Sequence, residues 1–299
     1  ELLQPGGVQM LLDLGFPKEI FAEIDSPAVG GYAIFKAGKH ITIPYSYGGE
    51  IRGQGFRYGK FVSQLRKHFS ALPTTTLLEG KVTGLEENNG RITGVKYAST
   101  EGEQSIAADL TIVSEGGYST LRSALSNTQR EIRSYMMALL LNNCQLPFTG
   151  YGHVFISKGT PFLAYPVSST KTRMLIDFPK DEPPRKGEKV QQYLTEVIRP
   201  SLPESMHPSF DEAVKTYPFK AMPSCEIPAD PIRKPGVVLL GDSLNMRHPI
   251  TGGGMTSLEL CHLGIPSIII CGASFENETS SLLATSGFGI NLGYKKKLS

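Results

Sequence analysis

What the chain lacks narrows its function before any motif is read. Its four cysteines, Cys144, Cys225, Cys261 and Cys271, lie far apart and form no C-x-x-C pair. That argues against a metal site or a disulfide framework and points to a reducing compartment. Charge is sparse and balanced: charged residues make up 19% of the 299, and the formal net charge is +2. No basic stripe interleaved with aromatics occurs, so nucleic-acid binding has no footprint. The longest apolar run, around Leu263–Ala273, is cut by Pro266 and falls far short of the ~20 residues of a membrane span. The stretch after Glu1 lacks the plan of a signal peptide. No internal repeat or low-complexity linker is present. What remains, with 40% hydrophobic residues, is a globular chain of one large domain or two interleaved ones.

The most informative stretch is Gly236–Thr256. Val237–Leu240 is a short apolar run that reads as a buried strand. It ends at Gly241-Asp242, and an irregular segment leads to Gly252-Gly253-Gly254 and a helix start at Met255. Strand, acidic residue, glycine-rich turn and helix start are the layout of a nucleotide-cofactor site. Glycines let backbone N–H groups approach a phosphate, and a helix N-terminus favours its charge. Asp242, at the carboxyl end of the strand, is placed to accept hydrogen bonds from sugar-like hydroxyls. The same residues also suit a tight loop in any α/β protein, with Asp242 as an ordinary turn residue.

Elsewhere the pattern alternates between helix and strand. Val8–Leu14 reads as a short helix stopped by Gly15 and Pro17, and strands are expected from Val29 through Tyr32 and Phe35 to Ile41–Ile43. A tyrosine at a strand start, such as Tyr32, is more often plain packing with its hydroxyl tied off. Gly59–Leu72 has the helical period, with Lys60, Arg66, Lys67 and His68 on its polar face. Thr76–Leu85 and Arg91–Ala98 form a hairpin about Asn89-Gly90. Asp109–Ser114 is a buried strand, followed by Glu115-Gly116-Gly117 and a helix over Ser119–Leu125. Ser134–Asp177 reads as antiparallel strands, and Glu188–Ile198 as a helix. Few charges fall between Met136 and Phe178, so one face of that sheet either lines an apolar pocket or packs on its own helices.

The run Gly241 to Met255, GD-x-x-N-M-R-H-P-x-T-G-G-G-M, resembles the second flavin-binding motif of the squalene monooxygenase (squalene epoxidase) family. Glu1–Gly7, ELLQPGG, is similar to a segment that in this family packs beside the flavin ring. The resemblance covers roughly residues 1–260. It implies Leu2 as a flavin contact, Gln4 as a polar side chain near the ring, and Tyr32 as the family's active-site tyrosine. It also implies Arg66 as a cofactor contact in the helix, Val82 on the adenine side of FAD, and Asp242 on the ribityl hydroxyls. The backbone around Gly253, Gly254 and Met255 would lie near the pyrophosphate or ring. Arg247 and His248 invite an acid–base role, but shaping the loop is the preferred reading. Where the family reads D-G-x-x-S-x-x-R, this chain has Glu115 at the head and keeps Ser119 and Arg122.

The fold so implied is α/β (α+β): a Rossmann-like FAD-binding domain of the flavoprotein hydroxylase type, interleaved with an antiparallel-sheet substrate domain. Residues 1–130 and 221–262 would bind FAD, 131–220 would form the substrate sheet, and 263–299 an atypical tail. The family opens with a G-x-G-x-x-G unit that does not precede Glu1, and Gly264 and Pro266 break its last helix, so the chain reads as a fragment. The implied activity is epoxidation of squalene to 2,3-epoxysqualene by reduced FAD and molecular oxygen. Electrons would come from an NADPH-dependent reductase, at the cytosolic face of the endoplasmic reticulum membrane. No metal or protein nucleophile is required. The alternatives are a flavin hydroxylase of a polar aromatic and a non-catalytic remnant that does not hold FAD.

Overall fold

The computed structural model describes residues 1–45, 51–157, 161–181, 188–216, 221–251, 268–269 and 290–291. In chain order, β1 (Leu2–Leu3), α1 (Pro5–Asp13), α2 (Glu19–Glu23), β2 (Ala28–Val29), β3 (Gly31–Lys36), β4 (Lys39–Pro44), β5 (Gly53–Gly55) and α3 (Tyr58–Ser70) come first. Next are β6 (Lys81–Asn88), β7 (Arg91–Ser99), β8 (Gly102–Ala107) and β9 (Thr111–Val113). They are followed by β10 (Glu131–Asn142), β11 (Gly152–Ile156), β12 (Phe162–Pro166), β13 (Lys171–Pro179), α4 (Glu188–Tyr193), α5 (His207–Thr216), β14 (Ala221–Glu226) and β15 (Val237–Leu239).

The chain divides into two compact units, residues 1–71 with 132–224, and residues 72–131 with 225–299. The first is built on a seven-stranded sheet of order β14-β10-β13-β12-β11-β3-β4. The antiparallel reading of Ser134–Asp177 holds within it: β10 pairs with β13, β13 with β12 and β12 with β11, all antiparallel. Three strands beyond that reading join the sheet, β14, β3 and β4, and β3 lies parallel to β11. Alternate residues point to opposite faces. Met137, Leu139, Met174, Ile176, Phe162 and Phe155 go to one face and pack under Leu194, Ile198, Met206 and Phe210 as the main core. The helix expected over Glu188–Ile198 is α4 followed by one wider π-type turn, Leu194–Ile198.

A second core joins α1, α2 and α3 through Leu11, Phe21, Phe56 and Phe61. The helix α1 starts at Pro5, earlier than the periodicity indicated, because a proline at the first helical position loses no hydrogen bond. The small sheet β1-β5-β2 sits close to the end of β12, where a Cβ on Gly55 would lie 1.8 Å from the Pro166 carbonyl oxygen. Only glycine allows that approach.

The second unit holds the antiparallel meander β6-β7-β8 and the parallel pair β15-β9. The Asn89-Gly90 turn has φ of +49° and +77°, as a two-residue hairpin of this twist requires. Residues 76–80 are irregular rather than strand, so the hairpin begins later than expected, at Lys81. The helix expected over Ser119–Leu125 is only a turn, Arg122–Ala124. The Glu115 carboxylate accepts from Ser119 Oγ (2.6 Å) and the Leu121 N–H (3.3 Å), holding the chain in a tight loop instead. The buried Arg122 gives its guanidinium to the Thr128 carbonyl at 2.8 Å. Val237 and Leu239 are buried with Val113 and Leu125, as the apolar run implied. Among the described residues no helix is long and apolar enough to cross a membrane.

Candidate functional site

In the first unit two of the residues singled out from the sequence, Gln4 and Tyr32, come together. Gln4 is the residue before α1, and Tyr32 is the second residue of β3. The Gln4 amide Nε2 donates to the Tyr32 hydroxyl, so a contact crosses from the helix entry to the large sheet. Tyr45 completes the group, its ring edge-on to Tyr32 with centroids 5.8 Å apart. Its hydroxyl is buried beside Tyr32 and Gln4 without an aligned hydrogen bond, and burial, then the Tyr32 hydroxyl, pushes its phenol well above the usual range. Leu2 lies half-buried in β1, opposite Gly55. Arg66 is on the exposed side of α3 and makes no hydrogen bond or ion pair among the described residues.

Among the described residues, the face of the seven-stranded sheet that bears Tyr32 lies opposite the one that α4 and α5 pack against. Two rows of facing residues cross it. Ala138, Leu175, Leu163, Val154, Ile34 and Ile41 stand opposite one another on β10, β13, β12, β11, β3 and β4. All are aliphatic, and all are half-buried except Ile41, which is exposed. Six strands at about 4.8 Å make this a strip on the order of 24 Å long. One step along the strands on the same face is a second row: Leu140, Arg173, Tyr165, Gly152, Tyr32 and Ile43. The missing side chain of Gly152 matters, because a Cβ there would lie 3.1 Å from the Tyr32 ring. Tyr32 therefore leans across β11 towards Tyr165. Sequence reasoning missed Tyr165, whose hydroxyl donates to the Glu1 carboxylate at 3.2 Å. It also missed Arg173, whose Nε is buried with no partner among the described residues. A tyrosine and an arginine at alternate positions of an otherwise apolar sheet were the available signal.

In the second unit, Asp242 sits in the tight turn Gly241–Ser243 directly after β15, and Gly241 has φ of +64°. The parallel β15 and β9 end together, and the Gly116 N–H donates to Ser243 Oγ at 2.9 Å across their carboxyl ends. Asp242 itself is half-buried and its carboxylate has no hydrogen-bond partner among the described residues. Burial raises its carboxyl above the ordinary range. A desolvated, unpaired carboxylate is costly, so the site fits a ligand that offers hydroxyl donors. Val82 is half-buried in β6 beside this unit's core. His248 Nδ1 accepts the Ile250 N–H at 3.3 Å, and Arg247 is exposed. Gly253, Gly254 and Met255 lie outside the described residues.

Comparisons with known proteins add the following. A family model described as squalene epoxidase matches residues 107–265, more than half of the chain. Squalene epoxidase 1 of Arabidopsis thaliana is 43% identical over 262 residues, covering 86% of this chain and 49% of that protein. The squalene epoxidase of Schizosaccharomyces pombe is 39% identical, covering 86% and 57%, and the squalene monooxygenase of Mus musculus 33%, covering 86% and 45%. The chain spans about half the length of the curated relatives it matches. Among solved structures, a probable FAD-dependent monooxygenase of Pseudomonas aeruginosa, PqsL, superposes with a TM-score of 0.70 at 17% identity, over 85% of this chain and 71% of that one. Klebsiella pneumoniae HpxO, solved with FAD and uric acid, gives 0.68 at 19% identity, over 88% and 68%. These superpositions establish the flavoprotein hydroxylase fold.

Proposed function

This chain belongs to the squalene epoxidase family, and from that premise we propose that it serves the FAD-dependent epoxidation of squalene, a step of sterol formation. The observation that carries the proposal is the half-buried aliphatic row running beside Tyr32 and Gln4. An extended hydrocarbon without polar atoms needs a long apolar floor, which this row supplies. FAD, when bound, supplies the chemistry that activates oxygen.

The chain's own residues bind, orient and exclude water. Asp242 accepts hydrogen bonds from the ribityl hydroxyls, and Val82 contacts the adenine side. Leu2 packs against the flavin ring, and Arg66 offers its fork of donors to cofactor oxygens. The backbone at Gly253, Gly254 and Met255 holds the pyrophosphate or ring. Gln4 donates to the Tyr32 oxygen, so the Tyr32 proton is free to point to a second acceptor, and the pair fixes the ring's position at the pocket mouth. We assign cofactor binding to residues 1–130 and 221–262, the substrate floor to 131–220, and no role to 263–299. Within the first assignment, β3 adds Tyr32 and Ile34 to the floor. An NADPH-dependent reductase supplies the electrons, molecular oxygen the transferred atom, and the cytosolic face of the endoplasmic reticulum membrane the substrate.

The test is a paired substitution. Asp242→Ala removes a charge-assisted hydrogen bond worth about 1.5–3 kcal/mol and should weaken FAD about ten- to a hundred-fold in a flavin-fluorescence titration. Tyr32→Phe should leave FAD affinity alone and lower epoxidation in the presence of the reductase. An unchanged FAD dissociation constant for Asp242→Ala refutes its assignment, and equal loss of FAD and activity in Tyr32→Phe makes that tyrosine a packing residue. No FAD binding by the parent chain would favour the non-catalytic remnant.

A further inference from the structure

The roles given to Gln4 and Tyr32 do not account for three polar residues at the same sheet face, namely Glu1, Tyr165 and Arg173. Tyr165 is 5% exposed, and its hydroxyl reaches out of the sheet to the Glu1 carboxylate. Glu1 begins the segment that enters β1, whose Leu3 is buried, and Gln4 follows directly. The Tyr165 bond is therefore a tie between the large sheet and the strand that presents Gln4. A second close approach, of Gly55 on the β1-β5-β2 sheet to the Pro166 carbonyl, seats the same small sheet at the same place. The Asp25 carboxylate adds a third tie by accepting from Ser169 N–H (3.0 Å) and Oγ (2.9 Å).

Arg173 faces Tyr165 across β12 and β13. Burial pushes the Tyr165 phenol well up, the nearby Glu1 carboxylate adds to that, and the Arg173 charge works the other way. The guanidinium makes no hydrogen bond or ion pair among the described residues, and its Nε is out of solvent. An unpartnered, desolvated donor contributes nothing to folding and costs stability. Polar groups kept at such a cost on an apolar face are expected where function, not packing, selects them.

We propose that Arg173, Tyr165 and Glu1 form a positioning latch, in which the Arg173 charge polarises the Tyr165 hydroxyl that holds Glu1, and so sets where Gln4 meets Tyr32. The proposal rests on the reading of Gln4 and Tyr32 as the pair that orients the ring. The latch itself is a matter of geometry within the first unit and can be tested without cofactor or substrate.

The experiment is fluorine NMR on the whole chain labelled with fluorotyrosine, together with thermal melts by circular dichroism. The Tyr32 resonance is identified by its loss in Tyr32→Phe. It should shift in Arg173→Met, in Glu1→Gln and in Tyr165→Phe, and return towards its parent position in Arg173→Lys. It should not move in Ile112→Thr, an exposed position in the other unit. The Arg173→Met protein should melt close to the parent temperature, because the half-buried guanidinium makes no hydrogen bond among the described residues. A Tyr32 resonance that stays put in all three variants overturns the latch. So does a lowered melting point in Arg173→Met with an unmoved resonance, which would make Arg173 a packing residue. A shifted resonance combined with unaffected epoxidation in Tyr32→Phe would uphold the latch and refute the function assigned to Tyr32.

Discussion

The two faces of the seven-stranded sheet are made by the same strands, one residue out of step, and differ in what covers them. On one face Leu139, Met174, Phe162 and Phe155 are at most 1% exposed beneath α4, the π-type turn and α5. On the other, Ala138, Leu175, Leu163 and Val154 are just as apolar and stay half-buried. Hydrophobic content alone does not distinguish them. The covered face carries the stability of the unit. The other carries Tyr32, Tyr165 and Arg173, and its aliphatic row stays half-buried. Apolar burial contributes in proportion to area removed from water, so the same leucine is worth little on one face and much on the other.

That difference can be broken most forcefully from the covered side. Phe210, on α5, is 0% exposed and central to the core. Phe210→Ala should destabilise the chain by about 3–5 kcal/mol in denaturant unfolding. A loss below about 1 kcal/mol would mean that the helices are not what holds this face.

A titratable group on the same face gives the next largest effect. His153 is 1% exposed, stacks near Phe35 and Phe155, and accepts the Phe148 N–H at Nε2 (3.2 Å). Its Nδ1 is buried without an aligned partner. Burial, opposed by nearby carbonyls of Tyr151 and Ala164, lowers its pKa to about 4. The folded state thus binds the proton less readily than the unfolded state, whose histidine titrates near 6.5. The stability that follows is present above about 6.5 and is lost as the pH falls towards 4. By 1.36 kcal/mol per unit this is on the order of 3 kcal/mol. Comparing unfolding free energies at several pH values, His153→Phe should show a shallower fall over this window than the parent. Equal slopes would place the acid sensitivity elsewhere.

The smallest effect on stability, and the sharpest contrast, belongs to the face that bears Tyr32. Leu163→Ala should cost less than about 1 kcal/mol of stability, as a partly exposed position does. Yet it should raise KM for squalene roughly 5–30-fold, through the loss of about 1–2 kcal/mol of apolar contact. A large loss of stability with an unchanged KM would make the two faces alike and remove the floor assigned to the substrate.

Local chemistry made several elements legible in advance. The Asn89-Gly90 turn and the buried run at Val237–Leu239 each follow from backbone preferences over a few residues. So does the place of Asp242, since a charge after an apolar strand falls at its carboxyl end. The helix expected after Glu115 failed for the opposite reason. There the Glu115 side chain captures the Ser119 hydroxyl and the Leu121 N–H and closes a turn.

Short-range patterns thus carried most of the elements, the family motif around Asp242, and the pairing of alternate apolar positions with one face of each strand. Which strands became neighbours was decided by long-range packing. The parallel pairing of β3 with β11 joins segments far apart in the chain, and no local preference encodes it. Its register puts Tyr32 opposite Gly152 and in one row with Tyr165 and Arg173. A slip of one residue would send Tyr32 to the covered face, because side chains alternate with a period of two. Gln4 meets Tyr32 for the same reason: the contact depends on where the small sheet is seated, and that is fixed by close approaches at Gly55 and by the tie from Tyr165 to Glu1.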